Sequence, residues 1–358
     1  MSETKHLYLV DGSAYIFRAY HRLPPLTNKH GEPVGAVYGY TTMLWKLADD
    51  LNAADGPTHL AVILDASSYS FRNDLYDQYK AHRPDPPEDL IPQFPMIRDA
   101  TRAFSLACIE QEGVEADDLI ASYTKAAVAQ GWQVTIVSSD KDLMQLIQPG
   151  VDMLDTMKDA RLADDAVMEK FGVRPDQLGD VLALMGDSVD NIPGIQGIGP
   201  KTASKLINEY GDLETVLAEA PNMKKSKMQE KLIEQAEMAR LSRILVELKS
   251  DCDLPQPLDD FALDKIPEEP LRAFLDHHGF ASLLKRIGQV VDTDKANKAI
   301  AGNRSDAVTG DGDAAPPTDG AAPLPPAWPK IDVDSYITIT DIETLKNWFG
   351  RARAEGVM

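Results

Sequence analysis

The feature that most constrains the fold of this chain is a series of apolar runs of strand length, each followed by an acidic residue. The runs 6–10, 60–64 and 134–137 are mainly apolar, and Asp11, Asp65 and Asp140 follow them within three residues. Between and after these runs, apolar residues recur every three or four positions, which is typical of amphipathic helices. Alternating strand and helix patterns predict βαβ units and a parallel sheet. We therefore expect an α/β core over residues 1–175.

Nine acidic residues form four short clusters, which the predicted topology brings toward one crevice, because ligands bind at the carboxyl ends of parallel strands. So many like charges raise one another's pKa and resist burial unless a cation joins them. Oxygen ligands suit Mg²⁺ or Mn²⁺. Enzymes that catalyse displacement at phosphorus commonly use two such ions about 4 Å apart. The nine predicted metal ligands are Asp11, Asp65, Glu115, Asp117, Asp118, Asp140, Asp142, Asp187 and Asp190.

A simpler explanation exists for single members of this set. An aspartate at the end of a strand often caps the following helix, since its carboxylate accepts hydrogen bonds from unpaired backbone amides. Asp117 and Asp142 each fit that role. Capping does not explain the surplus of acids beside them, so the set as a whole favours metal binding.

A glycine-rich segment after the last acidic pair indicates a phosphate-binding element. Asp187 and Asp190 are three residues apart and can face a common ion. Gly197 and Gly199 then precede a helical pattern that begins near Lys201, so free backbone amides meet an anion at a helix N-terminus. Together with the lysines and threonine of the following helix, this pattern predicts a helix-hairpin-helix that holds backbone phosphates without reading bases. The predicted contacts are Gly197, Gly199, Lys201, Thr202 and Lys205.

The insertion at residues 69–95 mixes aromatic and basic side chains. Such a mixture can stack exposed bases and bind the phosphates of single-stranded nucleic acid. An amphipathic surface helix would show the same composition, and the pattern alone does not decide between the two. The aromatic residues are Tyr69, Phe71, Tyr76 and Tyr79, and the basic ones are Arg72, Lys80, His82 and Arg83.

Charge and composition limit the class of protein. The formal net charge of −21 would argue against a polyanionic partner, but bound divalent ions would return positive charge where a phosphate lands. Cys108 and Cys252 are the two cysteines and lie far apart, so neither a disulfide scaffold nor a zinc ribbon is predicted. We find no signal-length or membrane-spanning apolar run, and we expect a cytoplasmic monomer with no membrane contact.

The chain divides into four predicted segments. Residues 1–175 form the α/β core, and residues 176–292 carry only helical patterns. In residues 293–329, Ala, Pro, Gly and Asp make up 24 of 37 positions, a composition typical of a disordered linker. Residues 330–358 regain a strand and a helix pattern, and we expect the chain to stop inside a further domain.

The motifs in this order resemble the 5′ nuclease domain of bacterial DNA polymerase I, which belongs to the flap endonuclease superfamily. The resemblance covers about residues 5–290, and residues 330–358 resemble the opening of the 3′-5′ exonuclease-like domain that follows in such polymerases. The polymerase domain itself is absent from this sequence. The segments that carry the resemblance are 9–12, 64–66, 71–72, 79–84, 113–118, 140–143 and 186–194.

The resemblance implies a PIN-like (Rossmann-like) parallel-sheet core with a helical arch over the site, plus an all-α helix-hairpin-helix subdomain. It implies a structure-specific 5′-3′ exonuclease and 5′-flap endonuclease with two or more Mg²⁺ ions, acting on flapped, nicked or gapped DNA and on RNA primers in replication and repair. K⁺ at the carbonyls near residues 197–199 is a further family feature.

The resemblance also implies roles for particular residues. Two metal groups are implied, and the cations of the insertion would contact the scissile phosphate or the threaded 5′ strand. The first metal group is Asp11, Asp65, Glu115, Asp117 and Asp118, and the second is Asp140, Asp142, Asp187 and Asp190. The cations of the insertion are Lys80 and Arg83, with Arg72. Arg18, which lies before the insertion, is a further cation in the same role.

Two rival functions share this fold. A PIN-type ribonuclease normally has fewer acids and lacks the hairpin subdomain at residues 186–205. A non-catalytic DNA-binding module would keep the fold as a scaffold, and incomplete metal ligands would favour it. All nine acidic positions of the family pattern are occupied here, so we expect a catalytically competent nuclease.

Overall fold

The sheet of the core has six strands. The structure is a computed structural model that describes residues 5–50 and 56–287. The predicted linker at 293–329 and the predicted domain start at 330–358 lie outside these described residues. The strands are β1 (His6–Asp11), β2 (His59–Ile63), β3 (Ala107–Ile109), β4 (Gln133–Val137), β5 (Val151–Asp155) and β6 (Ala160–Leu162).

The strand order is β3-β2-β1-β4-β5-β6, and every pairing is parallel except that of β6 with β5. The chain moves outward from β1 in one direction through β2 and β3, and in the other through β4 and β5. The order therefore reverses between β1 and β4, and this reversal opens a crevice at their carboxyl ends. The predicted mixed α/β fold with a mostly parallel sheet is confirmed.

Helices surround the sheet within the described residues. In the core they are α1 (Gly12–Arg22), α2 (Gly35–Asp50), α3 (Phe71–Leu75), α4 (Gln93–Ala103), α5 (Ala116–Ala129) and α6 (Asp164–Phe171). After residue 175 they are α7 (Leu178–Met185), α8 (Pro200–Tyr210), α9 (Leu213–Glu219), α10 (Lys227–Glu234), α11 (Ala236–Val246) and α12 (Glu268–His277).

Both faces of the sheet are buried, because alternate residues of each strand point to opposite sides. On β1, Leu7 and Leu9 join the cluster that contains α5, α7 and α8, whereas Tyr8 and Val10 join the cluster that contains α1, α2, α4 and α12. The near-continuous apolar runs in the sequence reflect this two-sided burial. Among the described residues, no apolar helix has the length that a bilayer crossing requires.

The pattern predicted the long elements better than the short ones. Strands β3 and β6 have three residues each, and no pattern pointed to them. The helical pattern of the sequence runs without a break over residues 226–248, but the structure has two helices there, α10 and α11. They are separated at Gln235, whose side-chain oxygen accepts the backbone N–H of Gln196 at 2.8 Å. Helix α12 returns to the core and packs against α4.

The predicted helical arch is much reduced in the structure. The insertion contains only the five-residue α3, and turns follow from residue 77. Pro84, Pro86 and Pro87 explain the difference, because each lacks a backbone N–H and disfavours helical geometry in the residue before it. The insertion is fixed instead by contacts to the loop at 186–194.

Candidate metal centre

The site begins at the crevice between β1 and β4. Asp11 is the last residue of β1 and is only 5% exposed. One carboxylate oxygen accepts the backbone N–H of Ala14 at 2.9 Å and caps α1, and the other accepts the hydroxyl of Ser138, just after β4, at 2.8 Å. Burial raises the pKa of Asp11 to about 6, and the nearby charges of Asp65 and Asp140 add to the increase.

A second strand end brings Asp65 next to the start of α5. Its Oδ1 accepts the backbone N–H of Ala116 at 2.8 Å, which ties the end of β2 to the first turn of that helix. The neighbouring Asp117 faces four acids, Asp140, Asp11, Asp65 and Glu115. Burial and these like charges raise the pKa of Asp117 well above its usual range. The side chain is therefore electrostatically unfavourable as an anion unless a cation binds.

The third part of the site follows β4. Asp140 accepts the backbone N–H of Asp142 at 2.9 Å. Burial raises the pKa of Asp142 to about 7, with a further increase from Asp140, while Lys141 acts in the opposite direction. The Oδ1 atom of Asp142 is buried and has no hydrogen-bond partner in the part of the chain that the structure describes; it lies 3.7 Å from the Lys141 ammonium.

The last two acids lie on a closed loop at residues 186–194. Asp187 and Ile192 exchange backbone hydrogen bonds of 2.7 and 2.9 Å across it. Gly186 and Gly194 close the loop backbone to backbone with φ angles of +70° and +60°, and a Cβ on Gly186 would lie 2.6 Å from the Ile192 carbonyl oxygen. Only glycine fits this contact, and the contact fixes Asp187 and Asp190 beside the core.

Two lysines partly neutralise the site. The ammonium of Lys80 lies 2.8 Å from Glu115 and 3.8 Å from Asp190, and that of Lys141 contacts Asp187. Burial opposes ionisation of Glu115, but Lys80 and Arg72 outweigh it and lower the pKa of Glu115.

Asp187 behaves in the same way: burial opposes its ionisation, but the hydrogen bond and charge of Lys141 and the backbone N–H of Val189 together outweigh burial and lower its pKa. Among the described residues, no three of the nine carboxylates place ligand oxygens within 4.8 Å of one another. A metal ion would therefore draw these carboxylates closer together.

The insertion docks directly on the loop 186–194. Lys80 has a left-handed backbone (φ +54°), and its N–H donates to the Asp190 carbonyl at 2.9 Å. The guanidinium of Arg83 pairs with the Asp190 carboxylate, and the Tyr79 hydroxyl donates to Glu115 at 3.1 Å. The predicted phosphate contacts Lys80 and Arg83 thus lie at the carboxylate site, paired with acids.

The predicted role of Arg72 as a DNA contact is wrong. Its side chain is 1% exposed, and its guanidinium forms two hydrogen bonds with Asp118 at 2.7 and 2.8 Å. It also donates to the carbonyls of Leu245 and Glu247 at the end of α11. An arginine with its donors paired inside the protein cannot bind a phosphate.

Asp118 is wrong as a metal ligand for the same reason. It is fully buried, and besides Arg72 its two oxygens accept the backbone N–H groups of Glu115 and Lys249. Asp118 also has no contact with solvent through which an ion would reach it. Eight of the nine predicted acids therefore remain candidates for metal ligands.

The remaining predicted contacts lie at the edges of the site. Arg18 donates to the hydroxyl of Ser139 at 3.1 Å, one residue before Asp140. The turn before α8 places Gly197, with φ +87°, and Gly199 ahead of the first amides of that helix. Lys201 and Lys205 are exposed on α8, and Thr202 is partly exposed. Contact with DNA by these six residues stays a prediction.

Sequence reasoning missed three residues that shape the site. Lys141 lies between two predicted ligands, Asp140 and Asp142, and is the one basic residue inside that cluster. This position could have identified it from the sequence. Ser138 precedes Asp140 by two residues, and its hydroxyl joins Asp11 to the Asp140 backbone N–H. Tyr79 is one of the aromatic residues for which base stacking was one of two open interpretations, but it is 3% exposed, so it is not available to stack on a base.

The donor set fits a hard divalent cation. The eight acids offer only oxygen, three of them have raised pKa values, and Asp142 has a buried oxygen that no described residue hydrogen-bonds. These properties match the preference of Mg²⁺ and Mn²⁺ for carboxylate oxygen. They do not suit a soft or imidazole-preferring metal.

Comparison with known proteins gives consistent matches. Two family models match the chain, "5'-3' exonuclease, N-terminal resolvase-like domain" over residues 6–172 and "5'-3' exonuclease, C-terminal SAM fold" over residues 173–269. A 5'-3' exonuclease of Aquifex aeolicus is 35% identical over 80% of this chain and 96% of its own length. DNA polymerase I of Rhizobium leguminosarum is 46% identical over 100% of this chain, which spans 40% of that protein.

Solved structures share the fold at low identity. The T5 D15 protein co-crystallised with metal ions has a TM-score of 0.58 at 22% identity, over 76% of this chain and 98% of its own. The catalytic core of Rad2 in complex with DNA substrate has a TM-score of 0.51 at 15% identity, over 77% and 88%. These similarities support the arrangement of sheet and helical segments described above.

The buried Arg72 pair predicts a large loss of stability when one partner is removed. Arg72→Met would leave Asp118 charged and buried, and we expect the free energy of unfolding to fall by about 3–5 kcal/mol in urea titrations. Arg83→Met is the matched control, because Arg83 is exposed and its loss should cost less than about 1 kcal/mol. Equal small effects of the two substitutions would contradict the structural role of Arg72.

The raised pKa of Asp142 predicts a pH-dependent effect on metal-free protein. A carboxyl whose pKa is higher in the folded state favours folding while protonated, and this contribution is lost as pH rises from about 4 through about 7. In EDTA at about pH 8, Asp142→Asn should therefore be about 2 kcal/mol more stable than the parent, with little difference near pH 4. If the variant is less stable than the parent at pH 8, ionised Asp142 is not destabilised by its burial and by the charge of Asp140, and the account of this residue is refuted.

Proposed function

This chain belongs to the 5′-3′ exonuclease family, and from that premise we propose that it is a divalent-metal-dependent nuclease that hydrolyses DNA phosphodiester bonds at 5′ ends and 5′ flaps. The observation that carries the proposal is the convergence of carboxylates from three strand ends and from the loop 186–194 on one edge. Asp11, Asp117 and Asp142 have raised pKa values there. Such an edge is suited to bind cations, and the positive charge of bound cations would attract a phosphate of the substrate.

Two groups of acids would hold the ions. The first is Asp11, Asp65, Glu115 and Asp117, and the second is Asp140, Asp142, Asp187 and Asp190. Asp140 interacts with members of both groups, since its charge raises the pKa of Asp11 and of Asp142. When bound, Mg²⁺ or Mn²⁺ ions lower the pKa of water and neutralise charge on the leaving oxygen. K⁺ near residues 197–199 is a further proposal from the family resemblance.

Lys80 and Arg83 supply positive charge to the reacting phosphate. Burial of the Lys80 ammonium opposes its ionisation, but Glu115 and Asp190 outweigh that effect and raise its pKa, so Lys80 stays charged at neutral pH. Once metal ions neutralise these acids, the two cations are available to donate to phosphate oxygens. Donors held in place before the reaction stabilise developing negative charge without reorganisation.

The hairpin holds the duplex next to this edge. Loop 186–194 connects α7 to the hairpin turn, so the element that supplies Asp187 and Asp190 also orients the amides of α8. Exposed Lys201 and Lys205 extend the positive end of that helix. Contacts of this kind fix the register of DNA without reading its sequence. A flap nuclease requires such contacts, because it has to cut at a fixed distance from the bound duplex.

Similar proteins support the substrate class. One solved relative is described as a T5 D15 flap endonuclease complex with DNA and metal ions, and the Rad2 core was solved with DNA substrate. We propose 5′-flapped, nicked and gapped DNA and RNA primers on DNA as substrates, in replication and repair. The match to 40% of a DNA polymerase I suggests that this nuclease acts as one part of such a polymerase.

The activity is tested with labelled 5′-flap DNA, plain duplex and single-stranded RNA. We expect Mg²⁺-dependent cleavage close to the flap junction, no cleavage in EDTA, and at least a 10²-fold slower rate for Asp65→Ala and Asp140→Ala, because each removes a metal ligand. Preferential cleavage of RNA would favour a PIN-type ribonuclease. Intact flap DNA in Mg²⁺ would refute the proposed activity.

The roles of the insertion and the hairpin separate in a second assay. Lys80→Met should slow single-turnover cleavage by about 10²-fold or more while leaving duplex binding nearly unchanged. Lys201→Met should instead weaken duplex binding and lower the slope of log affinity against log salt by about one, with single-turnover cleavage retained at saturating protein. An equal loss of binding in both variants would count against the assigned roles.

A further inference from the structure

A second group of metal-binding side chains lies apart from the carboxylate edge. Glu32, His277 and His278 place one potential ligand atom each within 4.8 Å of one another. Glu32 lies on the loop before α2, and the two histidines lie at the end of α12. None of the three takes part in the nuclease site described above.

The loop that carries Glu32 is built to hold it in place. The side-chain oxygen of Asn28 accepts the backbone N–H groups of His30 and Glu32 at 2.9 and 3.0 Å, and its amide nitrogen donates to Glu32 Oε2 at 2.8 Å. Backbone hydrogen bonds from Asn28 to Glu32 and from Gly31 to Asn28 close the turn. Lys29 donates to the Asp276 carbonyl at 3.3 Å and joins this loop to α12.

His278 has a polar atom that the fold leaves unpaired. Its side chain is 6% exposed, and its ring lies between Phe274 and Phe280, with centroids 4.6 and 5.7 Å away. The Nδ1 atom is buried and has no hydrogen-bond partner among residues 5–50 and 56–287. A histidine that served only to fill an aromatic cluster would normally have both ring nitrogens paired or in contact with water. Burial, followed by the charge of His277, lowers the pKa of His278, which favours the neutral ring that metals bind.

We propose that Glu32, His277 and His278 bind a transition-metal dication of the Zn²⁺ type and that the ion links the loop 28–32 to helix α12. Two imidazoles and one carboxylate suit Zn²⁺, whereas Mg²⁺ prefers oxygen ligands alone. Ligand atoms around tetrahedral Zn²⁺ lie about 3.4 Å apart, so the three groups need to close by about 1.4 Å at most. His277 is exposed, which leaves a path for the ion. The ring of His30 lies 5.4 Å from that of His277 and places a further imidazole beside the cluster.

The site is tested by Zn²⁺ and Co²⁺ titration of the whole chain in excess Mg²⁺, which keeps the carboxylate edge occupied. We expect one equivalent of Zn²⁺ to bind, a Co²⁺ absorption spectrum typical of nitrogen and oxygen ligands, and a rise in Tm on adding Zn²⁺. Glu32→Gln and His277→Ala should each weaken binding about tenfold to a hundredfold and remove the rise in Tm. Both side chains lie at the surface of the loop and the helix end, so the metal-free variants should keep the parent's Tm.

Two control variants separate this site from other Zn²⁺ ligands. His21→Ala removes an exposed histidine elsewhere on the chain and should leave binding unchanged. Asp140→Ala disrupts the carboxylate edge and should also retain the equivalent of Zn²⁺. The proposal is overturned if no Zn²⁺ binds in excess Mg²⁺, if binding survives both Glu32→Gln and His277→Ala, or if Asp140→Ala removes it.

Discussion

The mutual repulsion of carboxylates at the carboxyl edge of the sheet is the constraint on which the rest of the molecule depends. Strand order brings Asp11 and Asp140 together at the reversal between β1 and β4, and Asp117 and Asp142 are added from the segments that follow. The fold limits the repulsion with backbone N–H donors, with the Ser138 hydroxyl and with two lysines. The raised pKa values show that this compensation is incomplete. That residual conflict favours cation binding at this edge, and it lowers the stability of the metal-free protein.

Two connections join the candidate metal site to the helix-hairpin segment. Loop 186–194 carries Asp187 and Asp190 to the core while its ends are held by a glycine-to-glycine contact. The Arg72 pair with Asp118 joins the insertion, α5 and the end of α11 in one buried cluster. Breaking either connection would move acids of the site away from their positions, and Asp187 and Asp190 come from outside the core. The site is therefore complete only when the core and the hairpin segment are both in place.

Much of this arrangement could be predicted from the sequence, because strand-length apolar runs and the acids that follow them obey simple rules of parallel sheets. The rules cannot say which way a helical residue turns once the helix is docked. Asp117 and Asp118 are adjacent and look equivalent in the sequence, yet about 100° of helix rotation sends one to the site and the other to the buried Arg72. The sequence also could not show that Arg72 is buried, because its partners Asp118, Leu245 and Glu247 are distant in sequence; it therefore looked like a DNA contact. Tertiary contacts of this kind decide roles that local patterns leave open.

The central claim, that this edge is a cation site whose acids are partly protonated without metal, is tested most directly by calorimetry of Mg²⁺ binding in buffers of different ionisation enthalpy. At about pH 6.5 the account predicts that binding releases protons, because Asp142 titrates at about 7 and Asp11 at about 6 in metal-free protein. The release should diminish at about pH 8.5 and decrease in Asp142→Asn. Mg²⁺ binding with no proton release at pH 6.5, or no binding at all, would contradict the account.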